Sequence, residues 1–202
     1  ASPYAAAKIY SYHTIKIYRE AYGIFASNGI LFNHESPIRG LEFVTRKVTN
    51  MVAQIKLGIK DELVVGNIDS IRDWGYAEEY VEAMWRILQL DNPDDFVVAT
   101  GEAHSVKDLI KTAFSRADLD YKKYIKTDKS LIRPIDVNFL LGDISKLNKF
   151  SSWEPKVKFN QLVNLMVDSD IDRWSKYLNG EIFPWDAPSY PNELKIKSRL
   201  RN

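Results

Sequence analysis

Apolar positions recur at helical spacing along most of the chain, broken by short apolar runs and polar turns. Tyr4 to Tyr22 holds no internal glycine or proline, is rich in Ala, Ile and Tyr, and stops at Gly23, a residue suited to the left-handed turn that ends a helix. It predicts one long helix, with Pro3 at a first helical position. Val44, Val48, Val52 and Ile55 give an amphipathic helix from Phe43 to Leu57, ended by Gly58. Further helices are predicted over Ala77 to Leu88, from Ser105 to about Ala117, from Asp143 to about Phe150, and over Phe159 to Leu178. Ser105 and Asp108 form an S-x-x-D box at the start of the second of these. Short strands are predicted at the apolar end of Ile24 to Phe32, within Glu62 to Asn67, over Phe96 to Ala99, and over Lys122 to Thr127. Asn33 to Gly40 reads as a polar loop, Gly101 to His104 as a turn, Ile132 to Val137 as extended because of Pro134, and Trp153 with Pro155 as a hydrophobic turn. Phe183 to Pro191, rich in Pro and aromatics, reads as a surface segment without regular structure. Lys195 to Arg201 reads as a short edge strand or a frayed basic tail.

Composition narrows the classes of function more than the patterning does. The chain has 202 residues, 45% hydrophobic and 27% charged, enough for a substantial core in one or two domains. A formal net charge of +1 gives no global field for nucleic acid or an acidic membrane, so an anion site has to be local. With no cysteine there is no disulfide and no thiolate metal site, and three histidines argue against a metal centre; His13, in the middle of the first helix, has no partner at ligand spacing. No apolar run approaches a membrane span and no signal peptide is visible, so a cytoplasmic enzyme or binding protein is expected. Ala1-Ser2-Pro3 lacks an initiator Met and runs directly into a helical pattern, which suggests a piece of a longer chain. No internal repeat, GxGxxG, P-loop, HExxH or GxSxG is present.

The candidate chemistry lies in four places. Tyr4 and Lys8 are four residues apart, on one face of a helix's first turns. A cation there favours the phenolate of a group whose pKa is ordinarily about 10, and so could make a general base; the competing reading is a chance pair of common residues. Asn33, His34, Glu35 and Arg39 follow a predicted strand, where open α/β sheets place ligands; a solvated turn is the alternative. Arg46 and Lys47, near the start of a helix that electrostatics would rather see acidic, point to a bound anion or else to a solvated pair. Arg72 stands near the mouth of the helix from Ala77, able to grip a phosphate or to pair with Asp73 or Glu78, and Arg133 is a further anion candidate.

The order of motifs adds to this. S-P-Y-A-A-A-K, G-I-L-F-N-H-E-S-P-I-R-G, F-V-T-R-K, G-N-I-D-S-I-R-D-W-G-Y-A-E-E-Y-V-E-A-M-W, D-F-V-V-A-T-G-E-A-H-S-V, R-P-I-D-V-N-F-L-L-G-D and W-E-P-K-V-K-F together closely resemble the GDP-mannose 4,6-dehydratase family, a branch of the extended short-chain dehydrogenase/reductases. The resemblance covers about Ser2 to Asp172 and only the second half of such an enzyme. A glycine-rich amino-terminal half of the same protein is therefore the expected partner.

What the resemblance implies is an α/β fold: the C-terminal part of a Rossmann-type extended short-chain dehydrogenase plus a small α/β substrate-binding lobe. Residues 1–35 would end the Rossmann domain with the Tyr/Lys helix, 36–172 would form mainly the nucleotide-sugar-binding lobe with returning Rossmann elements, and 173–202 a tail. Tyr4 would take the proton from the sugar's C4 hydroxyl as hydride passes to the nicotinamide, and Lys8 would hold the nicotinamide ribose. His34 and Arg39 match cofactor positions, with NADP the expected cofactor and NAD possible. Asn33, Glu35, Val44, Lys47 and Arg72 match positions around the GDP-sugar, with Arg133 a weaker diphosphate ligand. The implied reaction is oxidation at C4, loss of water across C5 and C6, and hydride return to C6. A homodimer or homotetramer joined through the first helix is implied, with Tyr10, Tyr12, Ile15 and Tyr18 on the shared surface; burial within one subunit is the other reading. Ile38 departs from the resemblance, standing where an arginine is expected, and the stretch from Trp174 to Asn202 is longer than expected. A GDP-manno-heptose dehydratase is the alternative substrate reading, and a non-catalytic nucleotide-sugar-binding or interaction module the alternative of another class.

Overall fold

The computed structural model describes residues 2–131 and 137–181. The expectations for Arg133 and the extended segment around it, and for the tail beyond 181, lie outside those residues. Helix α1 spans Pro3–Tyr22. The Ser2 hydroxyl accepts the Ala5 amide at 3.0 Å, capping its first turn, and Gly23 closes it at φ 63°, a conformation that costs a residue without a Cβ little. None of its residues is buried. Its polar ties run from its middle to its carboxyl end. Arg19 Nη1 donates to Asp95 Oδ1 at 2.9 Å and to the Ala26 carbonyl at 3.0 Å, and Asn28 Nδ2 donates to Asp95 at 2.9 Å and to the Tyr12 carbonyl at 3.3 Å. Burial works against the Asp95 charge, yet the hydrogen bonds from Arg19, Asn28 and Tyr12 prevail and hold its pKa at about 2.

The strands are β1 (Gly29–Leu31), β2 (Asn33–Glu35), β3 (Leu63–Val65), β4 (Ile71–Arg72), β5 (Trp74–Tyr76), β6 (Phe96–Val98), β7 (His104–Ser105) and β8 (Ile125–Thr127). The remaining helices are α2 (Val44–Lys56), α3 (Ala77–Ile87), α4 (Val106–Arg116), α5 (Ser145–Ser151) and α6 (Phe159–Leu178). β1 runs parallel to β6, with Gly29 opposite Phe96, and the Phe32 amide still donates to the Val98 carbonyl at 2.9 Å. The chain then leaves β6, and β2 pairs in parallel with β5, Asn33 opposite Trp74. β3 and β8 form another parallel pair, while β4 and β7 are antiparallel. This is an α/β arrangement in which every parallel pair is joined by a crossover containing a helix.

Three expectations need correcting. Asn33 to Glu35 is a strand, not the start of a polar loop, because a partner far downstream satisfies its backbone. His104 belongs to β7 and its ring stacks on Phe159 at 3.8 Å between centroids, so it is not a free turn residue. Of Lys122 to Thr127 only Ile125–Thr127 is strand; Tyr121–Lys123 is a 3₁₀ turn started by the Asp120 side chain, which accepts from the Lys122 amide. The capping box forms as expected: the Ser105 hydroxyl accepts the Asp108 amide at 3.0 Å and Asp108 accepts the Ser105 amide at 3.1 Å.

Two apolar clusters hold the layers. One gathers Val48 and Val52 of α2, Leu63 and Val65 of β3, Trp74, Leu109 and Phe114 of α4, and Phe159, Val163 and Val167 of α6. The other gathers Tyr80, Ala83 and Ile87 of α3 with Phe96 and Val98 of β6, Leu147 of α5 and Trp153. Each fully buried Leu, Val or Phe stabilises by roughly 1.5–3 kcal/mol relative to exposure. Between the strand ends sits Asp73, fully buried. Its Oδ1 accepts the Thr100 amide at 2.8 Å and hydroxyl at 2.6 Å, and its Oδ2 accepts the amides of Gly101 at 3.0 Å and Gly142 at 3.2 Å. One carboxylate thus ties β5 to the turn after β6 and to the segment entering α5.

Candidate functional site

Pro3 and the Ser2 cap start α1 so that Tyr4 and Lys8 share a face. Lys8 Nζ lies 5.5 Å from the Tyr4 ring centroid, and the tyrosine is 72% exposed. A phenol and an ammonium thus stand side by side on an exposed face of the helix.

A second group is built by β2, the turn after it and the first turn of α2. His34 Nδ1 is 2.9 Å from the Phe32 carbonyl, which can only accept, so Nδ1 donates there; its ring lies 5.4 Å from that of Tyr80. Glu35 is 2% exposed, and the Thr45 hydroxyl donates to its Oε2 at 2.5 Å. Arg39 Nε stands 3.3 Å from the same oxygen. Burial pushes the Glu35 carboxyl above its ordinary range, with the Thr45 hydrogen bond and the Arg39 charge working the other way. The Arg39 guanidinium lies 3.6 Å from the Phe43 ring centroid, and its Nε, though paired with the Glu35 charge, makes no hydrogen bond among the described residues. Phe43 leaves the amino end of α2 without a side-chain cap, and no acidic residue stands in its first turn. That end therefore keeps its positive partial charge, with Val44 exposed on it and Lys47 half-buried one turn in.

Glu35, Arg39, Val44 and Lys47 are thus brought onto one short stretch of structure. Asn33, half-buried, begins β2. Arg72 sits on β4, its Nη1 donating to the Ile71 carbonyl at 2.8 Å. Tyr4 and Lys8 form no hydrogen bond or ion pair with this group among the described residues. Arg46 is a correction: the anion it meets is Asp170, inside the protein, at 2.8 Å from Nη2, and Arg46 is only 1% exposed. Thr45, Phe43, Asp73 and Asp170 escape a reading of the sequence, since each acts on a group that only the fold brings near. An open cleft of about 560 Å³, lined among others by Thr100, Gly142, Asp143, Glu154 and Lys158, holds none of the expected site residues.

Residues 1–166 match the family model described as GDP-mannose 4,6 dehydratase. The chain belongs to the GDP-mannose 4,6-dehydratase family. Among its relatives, GDP-mannose 4,6 dehydratase 1 of Arabidopsis thaliana is 50% identical over 171 residues, covering 85% of this chain and 47% of that protein. The GDP-mannose 4,6 dehydratase of Homo sapiens is 45% identical over 188 residues, covering 85% of this chain and 50% of that protein. The chain spans about half the length of the curated relatives it matches. Among solved structures, RMD from Pseudomonas aeruginosa complexed with NADPH superposes with a TM-score of 0.79 at 22% identity, over 86% of this chain and 57% of that one. The dTDP-glucose 4,6-dehydratase of Bacillus anthracis in complex with NAD gives 0.73 at 16% identity, over 89% and 54%. The fold of this GDP-mannose 4,6-dehydratase family member is thus the Rossmann-type α/β fold of these structures, over a little more than half of their length. Among the described residues no helix is long and apolar enough to cross a membrane, and no group of three His, Asp or Glu is placed to hold a metal.

Proposed function

We propose that the full-length protein containing this chain converts GDP-mannose to GDP-4-keto-6-deoxymannose with loss of one water. The observation that carries the reading is the 45–50% identity, over 85% of the chain, to proteins named for that activity. The geometry adds to it. Tyr4 takes the proton from the C4 hydroxyl, and Lys8 sets a positive charge beside the phenol and holds the ribose of a nicotinamide dinucleotide, NADP or NAD. A bound dinucleotide supplies a hydride acceptor that later returns the hydride, so the overall reaction needs no net oxidant. The residues suit that group: a hydroxyl and an ammonium on one exposed helix face, and the Arg39 guanidinium stacked on Phe43 and ion-paired with Glu35 through Nε, fit a ribose and a phosphate. His34, held by its Nδ1 donation to the Phe32 carbonyl, serves the same cofactor nearby in the chain. Asn33, Val44, Lys47 and Arg72 serve the nucleotide sugar, with the uncapped end of α2 favouring its diphosphate. Glu35 supports that group from inside, through Thr45 and Arg39.

In this reading residues 1–35 end the cofactor domain, 36–172 are mainly the sugar-binding lobe, and the enzyme is a cytoplasmic homodimer or homotetramer. Support for assembly comes from α1, where Tyr10 and Tyr18 are exposed and Tyr12 and Ile15 half-buried. The test is incubation of the full-length protein with GDP-mannose and a trace of NADP, in parallel with a GDP-manno-heptose. The expected result is a 4-keto-6-deoxy product from GDP-mannose without net NADPH accumulation. Turnover of the heptose alone would reassign the substrate, and no product from either would overturn the reading.

A further inference from the structure

Behind the turn that carries Arg39 lies a buried polar cluster to which neither the family match nor the proposed chemistry gives a role. Asp170 of α6 is fully buried. Its Oδ1 accepts Arg46 Nε and Nη2, each at 2.8 Å, and Arg173 Nη1 at 3.0 Å; its Oδ2 accepts Arg46 Nε at 3.1 Å and the Thr49 hydroxyl at 2.7 Å. The two arginines spend other donors on main chain. Arg46 Nη1 donates to the Arg39 carbonyl at 3.0 Å, and Arg173 Nη1 also donates to the Pro37 carbonyl at 3.2 Å. Asp170 and Arg173 lie just past residues 1–166, the stretch that matches the family model.

A buried pair of this kind contributes little net stability compared with apolar residues of the same size, so its presence calls for another account. The carbonyls it holds belong to the turn between β2 and α2, which contains Pro37 and Gly40 and has few bonds of its own, chiefly the Arg39 amide to the Ser36 carbonyl at 3.0 Å and the Phe43 amide to the Gly40 carbonyl at 3.2 Å. We infer that Asp170 and Arg173 are positioning residues: with Arg46 they clamp the backbone of the 37–39 turn from behind, fixing where the Arg39 guanidinium is presented to a phosphate of the dinucleotide. Planar guanidinium forks suit this task, since one face of each is held by a carboxylate while the other donors reach a carbonyl. The inference rests on the assignment of Arg39 to the cofactor, and its test separates the two.

The test uses the full-length protein and NADPH as probe. Arg173→Met removes the bond to Pro37 but leaves Asp170 paired with Arg46, so the fold is retained; Arg173→Lys is the conservative control. Deuterium exchange of the 36–43 backbone reads the clamp directly, and Arg173→Met is expected to speed it roughly fivefold or more without changing exchange in α4. NADPH titrations of Arg173→Met, Arg39→Ala and the double variant read the consequence. Arg173→Met is expected to weaken NADPH by about five- to tenfold, Arg173→Lys by less, and the double variant no more than Arg39→Ala alone, the non-additivity expected of residues acting through one another. Unchanged exchange in Arg173→Met overturns the clamp. Faster exchange with normal NADPH affinity, while Arg39→Ala binds weakly, overturns the positioning role. If Arg39→Ala itself binds NADPH normally, the assignment of Arg39 falls, and the clamp stands or falls on the exchange measurement.

Discussion

Replacing Asp73 tests whether one carboxylate holds the site-bearing ends of the strands together. In Asp73→Ala the amides of Thr100, Gly101 and Gly142 lose their acceptor, Gly142 in a buried setting and the other two where water can reach them, whereas the Thr100 hydroxyl keeps a partner, the Glu102 carbonyl at 3.2 Å. Each orphaned buried donor costs about 1–3 kcal/mol, offset in part by water entering and by relief of a buried charge. With one donor buried and two partly solvated, the expected net loss is about 2–4 kcal/mol, against a total stability of roughly 5–15 kcal/mol for a domain. Asp73→Asn keeps one acceptor oxygen but turns an NH₂ toward two N–H groups, so it should lose roughly half as much. Urea unfolding of the full-length variants, followed by tryptophan fluorescence, measures both; Trp74 is adjacent and buried. An Asp73→Ala variant within about 1 kcal/mol of the parent, or an Asp73→Asn variant more stable than the parent, would refute the reasoning.

Other consequences are more local. Tyr4→Phe should lower kcat by about 10²–10⁴-fold while leaving dinucleotide affinity close to normal, as measured by steady-state turnover and NADPH titration. Gly142→Ala drives its new methyl into the Ala99 side chain, and should destabilise by about 1–3 kcal/mol in a thermal or urea melt, with Ala99→Gly restoring most of the loss. The Asp95 carboxyl, at about 2 in the folded chain against an ordinary value near 3.9, contributes stability present above the unfolded value and lost as pH falls from about 4 toward 2. Asp95→Asn should therefore cost up to about 2 kcal/mol at pH 7 and flatten the acid limb of the stability profile between those values, read from urea melts at stepped pH.

Much of this was legible in the chain itself, and what was not has a common cause. The α6 boundaries and the Ser105–Asp108 box are read from neighbours within a turn or two, and both appear where expected. β2 was hidden because its ladder partner is β5, so nothing beside Asn33 to Glu35 marks them as strand. Arg46 looked like an anion ligand for the same reason: its partner lies 124 positions away. Tyr4 and Lys8 could be paired from spacing alone, but the stacking of Arg39 on Phe43 and the burial of Glu35 beneath Thr45 depend on a turn whose shape no local pattern states.

The way α1 is fastened has a mechanical consequence. Its polar ties to Asp95, Asn28 and Ala26 begin at Tyr12 and end at Arg19, while Tyr4 projects eight residues ahead of the first of them. At 1.5 Å per residue the tyrosine rides on a lever of about 12 Å, so each 5° of play at the fulcrum would carry its hydroxyl about 1 Å. Proton transfer tolerates less than that, since a displacement of about 1 Å can cost a hundredfold in rate. Steadiness of the base is therefore a property of whatever lies along the bare flank of the helix, and surfaces packed there would act on turnover without touching the sugar.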